Sequence, residues 1–544
     1  MIKYQSNRQL SFAEFALPFS GSLDGNNRWV KLANLLPWDE LVGIYSRNLS
    51  SGLGRPTQDL RVELGTLILQ EMMDWDDRET IAQIQENPYL QYFLGYSEYR
   101  YRKVFDASLL VTIRKRLDRE AVARLTAVVA ERRRQLEEQS PADENNSDRD
   151  NKPSNCSGDK EAEGASGEAQ VEDKSGSAHH PGDGDKADQR VERRGQLIID
   201  ATAVELEIPY PTDLGLLNEA RLQSERIIDE LWPFSRLGGP KPRTYRQKAK
   251  DAYLSVARKR QRSHQAIRKG IKQQLQYLRR NIKTMDALLK TVSAYMLKIL
   301  LTRRDRQLIA TIKLVYDQQQ EMYRTQSKRI ANRIVNLYQP WVRPIKRGKS
   351  GRDVEFGPKL SVSLIDGMVY VDHFSWDAFN EGNDLPAQVE AYRKRYGCYP
   401  EVVIGDTIYG NHDNRGYLKE RGIRFSGRKL GRPVQETEDN RELLAAEKQQ
   451  RKQEQRRRNR IEGCFGVGRR RYGLGRVRTR LAETSETSIC MAFFVMSIAA
   501  FLAACFARYL KLWWRVKTAF KAIIRPMAAL SGHPCAANYA VSAA

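Results

Sequence analysis

Glu401–Gly410 reads EVVIGDTIYG, an apolar run that ends at a glycine and an aspartate. A second segment, Leu197–Thr202 (LIIDAT), also places an aspartate where an apolar run ends. Ligand sites of α/β sheets lie at the carboxyl ends of their strands. We therefore predict that Asp200 and Asp406 emerge from the ends of buried strands and carry chemistry. Taken alone, either aspartate is more often a helix cap or a turn residue.

A third segment, Arg457–Gly466 (RRNRIEGCFG), places Glu462 among arginines. Arg458 and Arg469 stand four residues before and seven residues after Glu462, so all three share one helical face. Guanidinium groups bind phosphate well, and we predict that both arginines contact DNA phosphates. An exposed helix with internal ion pairs is the alternative. The three glycines after Glu462 either weaken that helix or allow it to pack closely on the sheet.

Three carboxylates placed in this way, Asp200, Asp406 and Glu462, could hold a pair of hard divalent cations. Mg²⁺ prefers a few oxygen ligands and keeps open positions for phosphate and water. The sequence thus predicts two Mg²⁺ ions, for which Mn²⁺ can substitute, and phosphodiester chemistry.

The composition predicts more than one domain and a polyanionic partner. A chain of 544 residues is too long for a single core. Its formal charge of +24 would attract phosphate backbones, with counterion release supplying much of the affinity. A merely soluble basic protein is the alternative.

Cysteine usage and hydropathy bear on the compartment. The six cysteines form no CxxC pair and the six histidines form no metal-spaced cluster, so we expect a reducing compartment and no zinc site. Met1–Ser20 mixes polar and apolar residues and predicts no signal peptide. Ile489–Ala507 is apolar enough to span a bilayer, but we interpret it as a buried core helix; a membrane anchor is the alternative. We expect a cytoplasmic protein without a membrane partner, associated with the bacterial nucleoid when bound.

The N-terminal region has helical periodicity. Apolar residues recur at helical spacing from Leu60 to Met72, and a second short helix starts near Asp77. A third helix begins at Asp106 or Ser108 and carries three basic residues, Arg114, Lys115 and Arg116. This pattern suits a helix-turn-helix-like DNA reader, with a plain all-α domain as the alternative.

Two further segments follow the N-terminal region. The first separates it from the predicted sheet, and the second is an insertion within the sheet's sequence. Residues 139–190 hold thirteen acids against six bases and no Leu, Ile, Met or aromatic residue, which predicts a disordered acidic linker. Apolar residues then step by three and four from Ile271 to Ile299, and a second helical stretch from Leu308 ends at Pro340. An antiparallel helical hairpin within one chain and a dimerising coiled coil both fit this seam.

The remaining strands follow the insertion. Asp366-Gly367 between two apolar runs is a strong hairpin signal. A short helix from Leu385 closes at Gly397, and strands follow at Val402–Ile404 and Ile423–Phe425. The predicted order is strand, insertion, hairpin, helix, strand, strand, helix.

Longer strings resemble those of DDE transposases of bacterial insertion sequences. Residues 78–95 (RETIAQIQENPYLQYFLG), within Phe15–Arg133, resemble the N-terminal helical domain of one large subgroup. Residues 210–221 (YPTDLGLLNEAR) and 405–411 (GDTIYGN) are similar to that subgroup's core segments. The linker and the long insertion depart from the minimal pattern.

The resemblance implies an α/β ribonuclease-H-like catalytic domain with a long helical (coiled-coil hairpin) insertion, preceded by an all-α DNA-binding domain. We predict a DNA-binding domain at 1–138, a linker at 139–192, the first catalytic strand at 193–213, the insertion at 214–348, the rest of the catalytic domain at 349–510 and a basic to Ala-rich tail at 511–544. We expect disorder at the Ala-rich end of that tail. The catalytic triad maps onto Asp200, Asp406 and Glu462. A related set of transposases surrounds its Glu with a Tyr, an Arg and a Lys, where this chain has Gln455, Arg458 and Arg469.

The function that the resemblance implies is transposition: binding of terminal inverted repeats, Mg²⁺-dependent cleavage and strand transfer into target DNA. Tyr409 and Asn411 would support the metal site, and the protein would act on double-stranded DNA as a dimer or higher oligomer. A nuclease of the same fold without joining activity, and a catalytically inactive DNA-binding protein derived from a transposase, are the alternatives.

Overall fold

The structure is a computed structural model that describes residues 11–18, 21–47, 49, 57–139, 192–346, 354–432 and 434–530. Side chains beyond Leu510 are described only at Trp513, Trp514 and Lys517. The predicted acidic linker lies outside the described residues except for its two end positions, and the last part of the predicted tail also lies outside them.

Helices make up the N-terminal region. They are α1 (Arg28–Leu35), α2 (Trp38–Ser46), α3 (Leu60–Met73), α4 (Asp77–Glu86), α5 (Pro88–Phe93), α6 (Leu109–Lys115) and α7 (Arg119–Glu138). Asp59 caps α3 by accepting hydrogen bonds from two backbone N–H groups of its first turn, and Asp76 does the same for α4. Helix α3 ends at Asp74, whose backbone is left-handed. The helices predicted near Leu60, Asp77 and Ser108 are therefore confirmed.

A mixed five-stranded sheet forms the centre of the second region. Its strands are β1 (Gln196–Ala203), β4 (Lys359–Ile365), β5 (Met368–Ser375), β6 (Val402–Ile404) and β7 (Arg424–Phe425). Strands β2 (Pro344–Lys346) and β3 (Val354–Phe356) form a separate two-stranded ribbon. The strand order in the sheet is β5-β4-β1-β6-β7. Strands β5, β4 and β1 pair antiparallel, whereas β6 and β7 pair parallel, with β6 beside β1. The described residues thus form an α/β domain together with many helices.

The β4–β5 hairpin turns at the predicted dipeptide. Asp366 and Gly367 have φ of 49° and 80°, so both central residues are left-handed. Two-residue hairpin loops need this conformation to match the twist of their strands, and Asp-Gly adopts it at low cost. The hairpin prediction is confirmed.

Four helices follow or accompany the hairpin. They are α13 (Leu385–Tyr396), α14 (His412–Glu420), α15 (Arg441–Arg471) and α16 (Ala482–Leu530). Helix α13 ends at Gly397, whose φ of 74° provides the predicted left-handed cap. Helix α14, between β6 and β7, is absent from the predicted element order. Helices α13 and α15 both pack against β1.

Helix α16 joins the N-terminal helices to the sheet. It packs against α3, α6, α7 and β5, and its residues from Ile489 to Phe501 belong to a hydrophobic core shared by both regions. Thr487 Oγ1 donates to the carbonyl oxygens of Arg114 and Leu117, and Ser497 Oγ accepts from Val369 N–H. Packing on two sides explains why this helix is apolar all round.

The same helix is the membrane-like segment of the sequence. Within the described residues, Ala482–Leu510 is the one helical segment long and apolar enough to cross a bilayer. Its most apolar 18 residues have a mean hydropathy of 2.5, and 61% of those residues are buried inside the protein. This burial agrees with the interpretation as a core helix. Beyond residue 510 the helical backbone continues to Leu530. The expected disorder concerns the Ala-rich end of the tail, most of which lies outside the described residues.

The insertion folds as a helical bundle rather than a hairpin. It contains α8 (Asp213–Leu231), α9 (Arg246–Ala257), α10 (His264–Thr291), α11 (Ala294–Leu300) and α12 (Arg303–Thr325). The predicted seam breaks at Ser293, whose side chain caps α11, and α12 ends at a left-handed Gln326 instead of continuing to Pro340. The predicted hairpin is therefore wrong in length. Helix α10 packs against α12, the predicted partner, but it packs against α8 as well.

The apolar seam of α10 faces its own chain. Leu275, Leu278, Met285 and Leu288 lie in a second hydrophobic core with residues of α8 and α12. Residues buried in this way are not available to a second copy, so the structure favours the intramolecular alternative over a dimerising coiled coil.

Candidate active site

The register of two parallel strands sets Asp200 beside Asp406. Ile198 of β1 is opposite Ile404 of β6. Two residues further along each chain, Asp200 and Asp406 reach the same level of the sheet. Neighbouring strands lie about 4.8 Å apart, so the two aspartates leave the sheet close together.

Helix α15 brings Glu462 to the same place. The helix packs against β1 and β6, with Ile461 and Phe465 buried and Glu462 exposed beside them. It continues without interruption through the three glycines. A Cβ on Gly468 would lie 2.7 Å from the Leu474 side chain, whereas Gly463 faces open space. Of the two alternatives, the helix break is therefore wrong, and close packing is found at Gly468.

Arg458 joins two of the three carboxylates. Its Nη2 donates to Glu462 Oε1 at 2.8 Å, and its Nη1 lies 3.5 Å from Asp406 Oδ1. The Arg458 side chain is only 16% exposed, whereas those of Asp406 and Glu462 are 44% and 53% exposed. The guanidinium group is thus held between the two acids, where the sequence predicted a phosphate contact.

Asp200 is the most buried member of the group. Burial raises the pKa of its carboxyl above the ordinary value, the Ala201 N–H and the Arg458 charge lower that pKa, and the charges of Glu462 and Asp406 raise it. The three carboxylates therefore lie close enough to act on one another electrostatically. Such mutual repulsion in a half-buried site favours a cation among them.

Backbone N–H groups orient both aspartates. Ala201 N–H donates to Asp200 Oδ1 at 2.8 Å, and Thr407 N–H donates to Asp406 Oδ1 at 2.7 Å. Each contact uses one carboxylate oxygen and leaves the other oxygen for another partner. In the described part of the chain, no group of three His, Cys, Asp or Glu side chains is arranged to hold a metal ion, and this includes Asp200, Asp406 and Glu462.

Arg469 has a structural contact where a DNA contact was predicted. Its Nη2 donates to the Ala203 carbonyl oxygen at 2.9 Å and lies 3.8 Å from Glu355 Oε1. These contacts tie α15 to the end of β1. The prediction that Arg469 contacts phosphate is not supported, because its guanidinium group already satisfies a strand terminus and a buried acid.

Tyr409 and Asn411 lie in the turn after Asp406. Tyr409 is fully buried, and its hydroxyl has no hydrogen-bond partner. Burial, followed by the charge of Asp200, raises the pKa of this hydroxyl, which places the ring near the first aspartate. Asn411 instead caps α14 by accepting from Asn414 N–H at 2.8 Å. Its predicted support of a metal site is therefore replaced by a capping role.

The basic residues of α6 differ in environment. Arg114 is buried and pairs with Asp77 and Gln70, and Arg116 pairs with the buried Glu63. Their predicted contacts with DNA are corrected by the structure, since both guanidinium groups hold neighbouring helices together. Lys115 is exposed and remains a candidate for DNA binding.

Sequence reasoning missed two buried polar residues that shape the site. Asn414 Nδ2 donates to the carbonyl oxygens of Gly382 and Tyr409, at 2.6 Å and 3.0 Å, and so fixes the turn after Asp406. Glu355, on the small ribbon, receives Arg469. A buried Asn in a short helix and a Glu in a short strand give no local signal of either role.

Two family models match parts of this chain. Residues 403–499 match the family model described as Transposase DDE domain, and residues 18–116 match that described as Transposase domain (DUF772). The first match includes Asp406 and Glu462. Together with the relative described next, these matches support a DDE transposase of an insertion sequence.

One curated relative of this transposase is the uncharacterized protein ORF8 in the nfe locus of Rhizobium meliloti. It is 32% identical over 99 residues, which are 18% of this chain and 46% of the relative. The chain thus spans less than half the length of that relative. No solved structure matches the transposase. The DDE domain supports an enzyme of the nuclease or transposase type, and the family generally uses a divalent metal.

Proposed function

We propose that this transposase binds the terminal inverted repeats of its insertion sequence and carries out Mg²⁺-dependent cleavage and strand transfer. The observation that carries the proposal is the meeting of three carboxylates from remote parts of the chain. Asp200 and Asp406 stand at equivalent levels of neighbouring strands, and Arg458 ties Glu462 to Asp406.

The topology supports a ribonuclease-H-like catalytic domain. Three antiparallel strands are followed by two parallel strands on the other side of β1. The aspartates lie on the central strand and directly after the parallel neighbour, and the glutamate comes from a helix packed on both strands. This arrangement places all three acids at one sheet edge.

The donor set fits a hard divalent cation. Three carboxylates supply oxygen ligands and excess negative charge. Burial raises the pKa of Asp200, and the charges of Glu462 and Asp406 act in the same direction. Asp200, Asp406 and Glu462 would hold two Mg²⁺ ions, which would supply Lewis acidity to the reacting phosphate and its nucleophile. Arg458 must give up at least some of its contacts with Asp406 and Glu462 before these acids can serve as ligands.

The chain's own groups would position the reactants. The backbone N–H groups of Ala201 and Thr407 keep the two aspartates fixed in orientation. Once released from the carboxylates, Arg458 would carry a positive charge at the rim of the site, where a DNA phosphate approaches. The N-terminal helices would recognise the terminal repeats, and the joining of two element ends requires at least a dimer.

A strand-transfer assay tests this function. Labelled duplexes taken from the DNA that flanks the coding region are incubated with the protein, Mg²⁺ and a target plasmid. We expect cleavage that frees 3′-hydroxyl ends, followed by labelled products longer than the input duplex. Asp200→Asn, Asp406→Asn and Glu462→Gln should each lose cleavage and keep duplex binding, whereas Asp413→Asn, at a fully exposed acid, should stay active.

The outcomes separate the alternatives. Cut fragments without longer products would indicate a nuclease that does not join. Absence of cleavage by the wild-type protein, with duplex binding that the three substitutions leave unchanged, would indicate a DNA-binding protein derived from a transposase.

A further inference from the structure

The insertion contains a long stretch of one sign of charge. Residues 252–285 hold ten Lys and Arg residues and no Asp or Glu. They form the end of α9, the connection to α10 and the first three quarters of α10. A chain segment with this balance repels itself unless an anion or solvent screens it.

The fold sorts these cations onto one side of α10. The buried face of the helix includes Leu275, Leu278 and Met285. The exposed side carries a set that we name the α10 basic stripe: Lys269, Lys272, Arg279, Arg280 and Lys283. Their successive spacings of three, seven, one and three residues place them on one side of the helix. The connection before α10 adds further exposed cations at Arg258, Lys259, Arg260 and Arg262.

Several acids of the insertion are paired with cations outside the stripe. Asp229 pairs with Lys241 and Arg246, and Asp286 pairs with Lys313. In contrast, no residue of the α10 basic stripe forms an ion pair with a carboxylate within the described part of the chain; Arg280 only lies over the rings of Tyr245 and Tyr277. The stripe is therefore a surface whose charge the chain itself leaves uncompensated.

The stripe suits a double-stranded polyanion. Lys269 and Lys283 are about 21 Å apart along the helix axis at 1.5 Å per residue. Duplex DNA offers about one phosphate charge per 1.7 Å over such a length. A membrane surface fits poorly, because no large apolar side chain is exposed between Arg246 and Ala294 among the described residues, and surface helices need such anchors.

We propose that the α10 basic stripe is a second DNA-binding surface that holds the backbone of double-stranded DNA outside the catalytic site. The choice of DNA rests on the proposed function, whereas the polyanionic character rests on the stripe itself. Lys and Arg on an exposed helix face contact phosphates and position the duplex without reading its sequence. Weakening the stripe should therefore lower affinity for all duplexes alike.

Duplex binding at several salt concentrations tests the proposal. Affinity of the full chain for a labelled duplex is measured by fluorescence anisotropy with EDTA present, so that cleavage does not interfere. The test variant is Lys272→Gln with Lys283→Gln. The matched control is Lys241→Gln with Lys313→Gln, which removes the same charge from the same insertion at lysines that are already paired. Thermal unfolding checks that both variants fold.

We expect the test variant to lose about 1.8 from the slope of log K against log salt, and roughly tens of fold in affinity near 0.1 M salt, for two phosphate contacts. The control should stay close to wild type. Equal losses of affinity in both variants, or no loss in either, would overturn the proposed role of the stripe in DNA binding. The proposed function would not be affected. Failure of the wild-type chain to bind any duplex would overturn both, and preference for single-stranded RNA over duplex DNA would overturn the assignment of the partner.

Discussion

Replacing Arg458 by Gln should strengthen divalent metal binding by the DNA-free protein. In the structure this guanidinium group contacts Asp406 and Glu462, so a metal ion that takes both carboxylates has to displace it. Removing the positive charge removes the competitor and leaves the three acids with their mutual repulsion. The variant should therefore bind Mn²⁺ more tightly, even though its DNA contacts are weakened.

The exposure of the acids sets the size of the effect. Asp406 is 44% exposed and Glu462 is 53% exposed, so solvent screens both ion pairs. Pairs of this kind contribute about 0.2–1 kcal/mol each, or about 0.4–2 kcal/mol for the two. At 1.4 kcal/mol per tenfold change, the Kd for Mn²⁺ should fall about 2- to 30-fold.

Mn²⁺ titration followed by electron paramagnetic resonance measures this Kd without DNA or turnover. Arg456→Gln is the control, since Arg456 is exposed on the same helix. Asp200→Asn should remove the tight binding and so assign it to the site. A Kd for Arg458→Gln that equals or exceeds that of the wild type would refute the competition.

Three further predictions concern stability, measured by urea unfolding. Burial raises the pKa of Glu71 to about 7, although part of the side chain reaches the surface. As pH rises, Glu71 therefore loses its proton at a lower pH in the unfolded chain than in the folded protein. The free energy of unfolding should fall as pH rises from about 4.5 to about 7. Glu71→Gln should remove that slope and stabilise the protein above about pH 7 by up to about 3 kcal/mol; an unchanged slope would contradict the burial. Arg114→Ala should cost about 2–4 kcal/mol, because it leaves Asp77 unpaired beside a buried helix contact. If Arg114 were a DNA contact, stability would not change and duplex affinity would fall. Gly468→Val should cost about 1–3 kcal/mol through overpacking, whereas Gly463→Ala, facing open space, should be neutral or stabilising.

Features that depend on neighbouring residues could be predicted from the sequence. The Asp366-Gly367 turn, the strand Val402–Ile404 and the helix that closes at Gly397 all agree with the structure. Each follows from a backbone preference or from a run of apolar residues, and neither depends on distant parts of the chain. The same reasoning selected Asp200 and Asp406, because an acid after an apolar run is visible in the sequence. The predicted position at a strand end holds for Asp406, whereas Asp200 lies within β1, which continues to Ala203.

Partners of charged side chains could not be predicted in this way. Arg114, Arg458 and Arg469 all lie on helices and look alike in the sequence. In the structure they contact a half-buried acid of another helix, two acids of the candidate active site, and the end of a strand, respectively. The sequence predicts on which face of a helix an arginine lies. Which residues contact that face depends on how the helix packs in the folded protein.

The length of the insertion helices was decided by tertiary structure as well. The apolar spacing from Ile271 to Ile299 is continuous, but Ser293 interrupts the helix and the seam packs against α8 instead of forming a long hairpin. The segments that resemble transposases, the three candidate acids and the local turns could be identified from the sequence alone, because each depends on residues close together in the chain. Tertiary structure alone set the register of β1 against β6 and the position of Arg458 between two acids, because both depend on contacts between residues far apart in the chain.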